Sequence, residues 1–99
     1  MWLKKNNPHH PDVIVWGAGR TTRKRAAILT EYGLRITHYI DLKQRTLECG
    51  TQVITHNDLP SPDSCFIVPM VGNRGAREKI RAFLNERGFT EGTNCIFAA

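Results

Sequence analysis

The chain has 99 residues, 40% of them hydrophobic and 23% charged, with a formal net charge of +5. That length holds one core, since folding a chain of this size buries only about 60 to 65% of its exposed surface, and it excludes a second domain. The composition excludes a disordered tail, no apolar run approaches the roughly 20 residues that span a bilayer, and MWLKKNNPHHPD lacks the apolar middle of a signal peptide, so a cytoplasmic protein is expected.

Residues 1–12 carry Lys4, Lys5, Asn6, Asn7, Pro8, His9, His10 and Pro11, the chemistry of a linker or N-terminal extension, and the domain is expected over 13–99. Val13 to Trp16 is a short apolar run suited to a strand buried on both faces. Thr21 or Thr22 can cap the helix that follows, whose Ala26, Ala27, Ile28 and Leu29 precede Gly33 as a stop. RITHYI, Arg35 to Ile40, reads as a second strand. Signals weaken from Asp41 to Ser64, where GTQVI suggests a small extra strand and HNDLPSP a turn or one helical turn.

CFIVPM, Cys65 to Met70, is another buried strand, with Pro69 expected to push its end out of regular pairing. A glycine-rich loop spans Gly72 to Gly75. Ala76, Ile80, Phe83 and Leu84 then share one face of a helix that stops at Gly88. Cys95 to Ala98 supplies the last strand. Alternation of this kind predicts a three-layer, Rossmann-like α/β domain, with a mainly parallel four-stranded sheet and helices on both faces. The expected strand order is Arg35, Val13, Cys65, Cys95, with 43–64 irregular.

That order reverses the direction of growth between the Val13 and Cys65 strands, and ligands of open α/β sheets bind at such switch points, beyond the carboxyl strand ends. Gly17-Ala18-Gly19 occupies that place on the first strand. Gly17 and Gly19 fit the first two positions of a dinucleotide-binding turn, but Thr22 stands where the third glycine would be. With Arg20 and Thr21 the turn opens a helix whose unpaired N–H groups suit an anion. Asp41, about 20 residues on, stands where a carboxylate can bond a ribose hydroxyl. Lys43 and Arg45 could serve a phosphate instead. Gly72, Asn73 and Arg74 are expected to face the turn across the crevice, with Arg20, Arg23, Arg74 and Arg77 forming an anion cradle. The plain alternative is an ordinary strand-to-helix turn beside a solvated basic face; Lys24, Arg25, Lys79 and Arg81 read as exposed helix charge.

No catalytic residue is assigned, because no general acid and base pair or nucleophile motif is present. No metal ligands are assigned either. His9 and His10 have no further ligand at a fixed spacing, and Cys49, Cys65 and Cys95 form neither a disulfide framework nor a zinc motif.

WGAGRTTRKRAAILTEYGLRITHYID, with DLP, VGNRGAREKIRAFL and RGFTEG, resembles the small Rossmann-like domain at the C-terminus of some bacterial family-2 glycosyltransferases, over nearly all of 13–99. The resemblance implies a module attached to a sugar-transfer enzyme, with the catalytic domain as partner in cis or in trans. The chain carries no Asp-x-Asp metal motif and is too short for the transferase itself. A looser likeness is to the nucleotide-sugar-binding N-terminal domain of bacterial sugar acetyltransferases. There the turn continues with glycine and histidine; Arg20 and Thr21 replace them here, so histidine-dependent chemistry is not carried over.

Three functions compete. The first is a noncatalytic nucleotide or nucleotide-sugar binding module. The second is an NAD(P)-type binding or redox-sensing domain, disfavoured by size because only about half of a dinucleotide fold is present, though a homodimer could complete it. The third is a basic protein-interaction module with an empty crevice. Nucleic acid is disfavoured by the lack of any recognised binding motif.

Overall fold

The computed structural model describes residues 7–48, 50–72 and 74–97. The strands are β1 (Asp12–Trp16), β2 (Arg35–Ile40), β3 (Arg45–Thr46), β4 (Gln52–Ile54) and β5 (Ile67–Pro69), and the helices are α1 (Arg20–Glu31) and α2 (Arg74–Glu86). The sheet order is β3-β4-β2-β1-β5. Every pairing is parallel except β3 with β4. The expected order of the Arg35, Val13 and Cys65 strands holds, but the sheet has five strands rather than four. The addition lies in the stretch expected to be irregular: GTQVI supplies β4, and Arg45–Thr46 folds back on it. A single helical turn follows at His56–Asp58.

The expected strand over Cys95 to Ala98 is instead an isolated bridge, in which Cys95 pairs parallel with Ile67, and residues 98 and 99 lie outside the described residues. Pro69 also differs from expectation, for it stays in the ladder opposite Trp16. Hydrogen bonding alternates along a parallel strand. Ile67 bonds outward to Asn94 and Ile96, while Met70 N–H donates to Trp16 O. Pro69 therefore turns the side without an N–H away from β1, where its absence costs no ladder bond.

Central placement of β1 explains its composition, since Val13, Ile14 and Val15 are all buried. Successive side chains of a strand point to opposite faces. Val13, Val15, Phe66 and Val68 pack in one cluster with Ala26 and Leu29 of α1, whereas Ile14 and Ile67 pack in another with Ile80 and Leu84 of α2. In β2 the register slips so that Thr37 stands opposite no β1 residue in the ladder, its hydroxyl instead donating to Val13 O at 3.4 Å, and Ile36 thereby joins Tyr39 in the α1 cluster although simple alternation would separate them.

Both helices end on glycine as expected. Gly33 has φ +86° and Gly88 φ +90°. At each end the N–H after the glycine reaches back to a buried leucine: Leu34 N–H to Leu29 O at 3.0 Å and Phe89 N–H to Leu84 O at 2.9 Å. The start of α1 departs from expectation. Gly19 is the N-cap, with no side-chain cap, and Thr21 and Thr22 lie inside the helix. Thr22 is engaged elsewhere, its hydroxyl pointing to Met70 O at 3.5 Å. Ile28 likewise faces out, 54% exposed, because Ala26 and Leu29 take the inner face.

Asn7 is buried and its side chain organises a turn ahead of β1, donating from Nδ2 to Asp12 O and accepting from His9 N–H. No described helix is long and apolar enough to cross a membrane.

Candidate functional site

The glycine turn leaves β1 at the carboxyl edge of the sheet, tied to both neighbouring strands. Gly17 N–H donates to Ile40 O at 2.8 Å, at the end of β2. A Cβ on Gly17 would lie 3.0 Å from Thr22 Cγ2 and 3.7 Å from Met70 O, and its φ of +121° is one that side-chain-bearing residues rarely adopt. Glycine is thus required at 17 by conformation and by space. Gly19 differs: its backbone is extended, and a Cβ there would meet nothing within 4 Å. The open space lies at the N-terminus of α1, where the first-turn N–H groups have no partner within the helix.

Asp41 directly follows β2 and its carboxylate braces the turn. Oδ2 accepts from Ala18 N–H at 3.0 Å and Oδ1 from Leu42 N–H at 2.8 Å. From the other side, Arg45 of β3 donates from Nη2 to Ala18 O at 3.3 Å. Ala18 is fully buried, its N–H held by an acid and its carbonyl by a base. Gly17, Ala18, Thr22 and Asp41 are thereby brought together, with Met70 as an additional contact that sequence reasoning missed.

Gly72 is exposed, with open space around it. Arg74 is the exposed first residue of α2, and Asn73 lies outside the described residues. The expected cradle across to Arg74 therefore reduces, among the described contacts, to the approach of Thr22 and Gly17 to Met70.

On the opposite side of the turn, an open groove of about 730 Å³ runs between α1 and β3, lined by Arg20, Arg23, Lys24 and Arg45 and by one acid, Glu48. Residues 20, 23, 24 and 27 share a helix face. Ala27 and Leu47 also line this groove. Nε of Arg23 is buried without a hydrogen-bond partner, an arrangement that costs on the order of 1 to 3 kcal/mol for a typical buried donor. The cationic spacing on α1 was readable in the sequence, and Lys24, read there as exposed helix charge, is exposed. That β3 would fold back and set Arg45 opposite was not readable, because a two-residue strand carries no periodicity.

Two arginines of α2, Arg77 and Arg81, and Arg87 just beyond it are otherwise employed. Arg81 pairs with Glu78 and Glu91, and its guanidinium lies 4.6 Å from the Phe97 ring centroid. These contacts, that with Glu91 foremost, hold its pKa above the usual arginine value. Arg77 stands over the same ring and Arg87 over Phe83. Arg81 is thus a structural cation rather than a merely exposed one.

At the amino end of the sheet a smaller cavity of about 330 Å³ is lined by His9, His10, His38, Ser64 and Cys65, among others. Burial pushes the Cys65 thiol up to about 11, which leaves too little thiolate near neutral pH for nucleophilic work. Cys95 is likewise raised to about 11, chiefly by burial. Among the described residues no group of three or more His, Cys, Asp or Glu side chains is placed to hold a metal ion.

Neither a family model nor a curated protein nor a solved structure matches the chain.

Proposed function

We propose that this chain is a noncatalytic binding module for a nucleotide or nucleotide-sugar, in a three-layer Rossmann-like fold, serving a family-2 glycosyltransferase in the cytoplasm. The observation that carries the binding reading is the braced turn. The Asp41 carboxylate bonds Ala18 N–H, and next to it the uncapped N-terminus of α1 opens at Gly19 onto free space. A rigid turn with unpaired N–H groups at a helix start is preorganised for a phosphate. Each Asp41 oxygen keeps a second lone pair beyond the bond it now accepts, which a ribose hydroxyl can use. Support for the three layers is the segregation of α1 and α2 into separate clusters built on alternating strand side chains. The link to a glycosyltransferase rests on the sequence resemblance.

A thermal-shift panel of UDP-sugars, NAD, NADP and ATP tests this reading. A ligand at 100 times its dissociation constant stabilises by about 2.7 kcal/mol. Gly19→Val should abolish the shift while leaving the unliganded protein folded, because the new side chain fills ligand space and its Cβ meets no protein atom within 4 Å. No shift with any nucleotide, or an undiminished shift in Gly19→Val, would remove the turn as the site.

A further inference from the structure

We propose that the outward face of α1 is an interface between two copies of this chain, in which the two helices pack antiparallel about a twofold axis at Ile28. The proposal goes beyond the reading of the glycine turn and does not depend on it.

The apolar surface is the first observation. Ile28 and the C-cap Tyr32 are 54% and 62% exposed, and their spacing of four residues sets them on one side of the helix. Ala26 and Leu29 take the buried side. Thr21 and Arg25, both exposed, continue the outer stripe toward the helix start.

The charges of the helix select what covers this surface. α1 opens on Arg20 and Arg23 with no acid in its first turn, and closes on Glu31 with no base in its last. Both ends therefore run against the helix dipole, whose start favours anions and whose end favours cations. An antiparallel copy answers both ends at once, because it sets the acidic end of one helix beside the basic start of the other. Lys24 and Glu31 are seven positions apart, about 10.5 Å along the axis, too far to pair within one helix. Glu31 makes no ion pair among the described residues. With the twofold axis between residues 27 and 28, Lys24 stands opposite Glu31 of the partner subunit, and the symmetry forms this pair twice. Ile28 then meets the partner's Ile28 at the axis, and Tyr32 lies toward the partner's Arg25, a pairing of ring and cation. An anionic membrane or an acidic peptide would answer the cations but leave Glu31 unmatched in the contact.

α1 spans about 18 Å, so its face buries less than roughly 800 Å² per partner, the size of a standard interface. The dimer is accordingly weak, with a dissociation constant on the order of 0.1 mM.

Sedimentation equilibrium on the full chain, from about 10 μM to about 1 mM, tests the interface, and a dimer should form across that range. Ile28→Glu should weaken it at least about tenfold by placing two carboxylates at the axis. Lys24→Glu and Glu31→Lys should each weaken it about three- to thirtyfold, and the double variant carrying both should restore it. Lys24→Glu is the sharper single test, because it lowers the net positive charge and would strengthen any association limited by general repulsion. An equimolar mixture of the two single variants should dimerise at least as well as the parent. Leu42→Asp changes an apolar residue that is 87% exposed but lies outside α1, and should have no effect. Thermal midpoints report whether Ile28→Glu remains folded, and the exchange of charges at 24 and 31 decides the matter if it does not.

A monomer at every concentration overturns the interface, including a monomer whose Ile28 governs binding to anionic phosphatidylglycerol vesicles. A dimer that survives Ile28→Glu, or that the double variant fails to restore, forms through another surface and overturns it as well.

Discussion

The two helices close alike and spend their charge differently. Each ends on a left-handed glycine, Gly33 or Gly88, followed by an apolar residue whose N–H returns to a leucine of the last turn. Their arginines diverge. On α2, Arg81 is held by Glu78, Glu91 and Phe97 and Arg77 lies over the Phe97 ring, and just past the helix end Arg87 lies over Phe83. On α1, Arg20, Arg23 and Lys24 make no ion pair among the described residues and line a groove with a single acid. A net charge of +5 is therefore a poor guide to binding. What separates the two sets is that, among the described residues, the α2 cations lie against acids or aromatic rings and those of α1 do not.

The deepest cut into this comparison is at the shared helix ends. Leu84→Ala on α2 should destabilise by about 2 to 5 kcal/mol, and Leu29→Ala on α1 by less within that range. The ranking follows burial, 1% exposed for Leu84 against 8% for Leu29. Urea unfolding measures both, and a reversed ranking would show that α1 contributes more to the core than its burial indicates.

Next in size is Gly17→Ala, expected to cost about 1 to 3 kcal/mol, because φ +121° strains any side chain and the new Cβ meets Thr22 Cγ2 at 3.0 Å. Gly19→Ala should be near neutral by the same urea assay. Equal costs at 17 and 19 would mean that the turn is not braced as described. Asp41→Ala should cost about 1.5 to 3 kcal/mol through loss of the bond from Ala18 N–H to a carboxylate, and should increase hydrogen exchange at Ala18.

Thiol chemistry probes the α2 side. With both thiols buried and raised to about 11, Cys65 and Cys95 should resist iodoacetamide at pH 8 in the folded protein and react on unfolding, as mass spectrometry of the labelled peptides would read. Prompt labelling of Cys95 would show that its bridge to Ile67 opens readily.

The smallest effect concerns the ion pair at the start of β1. The hydrogen bond from Arg35 holds the Asp12 carboxyl below its usual value. A carboxyl lowered in the fold adds stability above its unfolded pKa, about 3.9, and loses it as pH falls through the folded value. Both side chains are exposed at 68% and 38%, so the effect should be slight and should fade with salt. Comparing Asp12→Asn with the parent between pH 6 and pH 2 would detect it, and a difference that persists at 1 M salt would contradict a surface pair.

Residues with a local reason for their identity were legible in the sequence. The apolar run in β1, the β-branched composition of β2, and the glycines that end both helices each reflect backbone or burial requirements met within a few positions. The glycine turn was legible for the same reason, and so was the position of Asp41 just beyond β2. What could not be read depended on partners distant in the chain. Thr22 looks like a cap by residue type, yet Met70, 48 positions away, takes its hydroxyl. The slip at Thr37 depends on which face α1 covers, and Pro69 stays in its strand because of which neighbour it turns its nitrogen toward. Arg45 stands between Gln44 and Thr46 and Arg81 between Ile80 and Ala82, and neither flank tells the role of the cation. Only the tertiary structure set one beside the glycine turn and locked the other between two glutamates and a ring, because a charge has no periodicity and acquires its role from whatever the fold brings within a few ångströms.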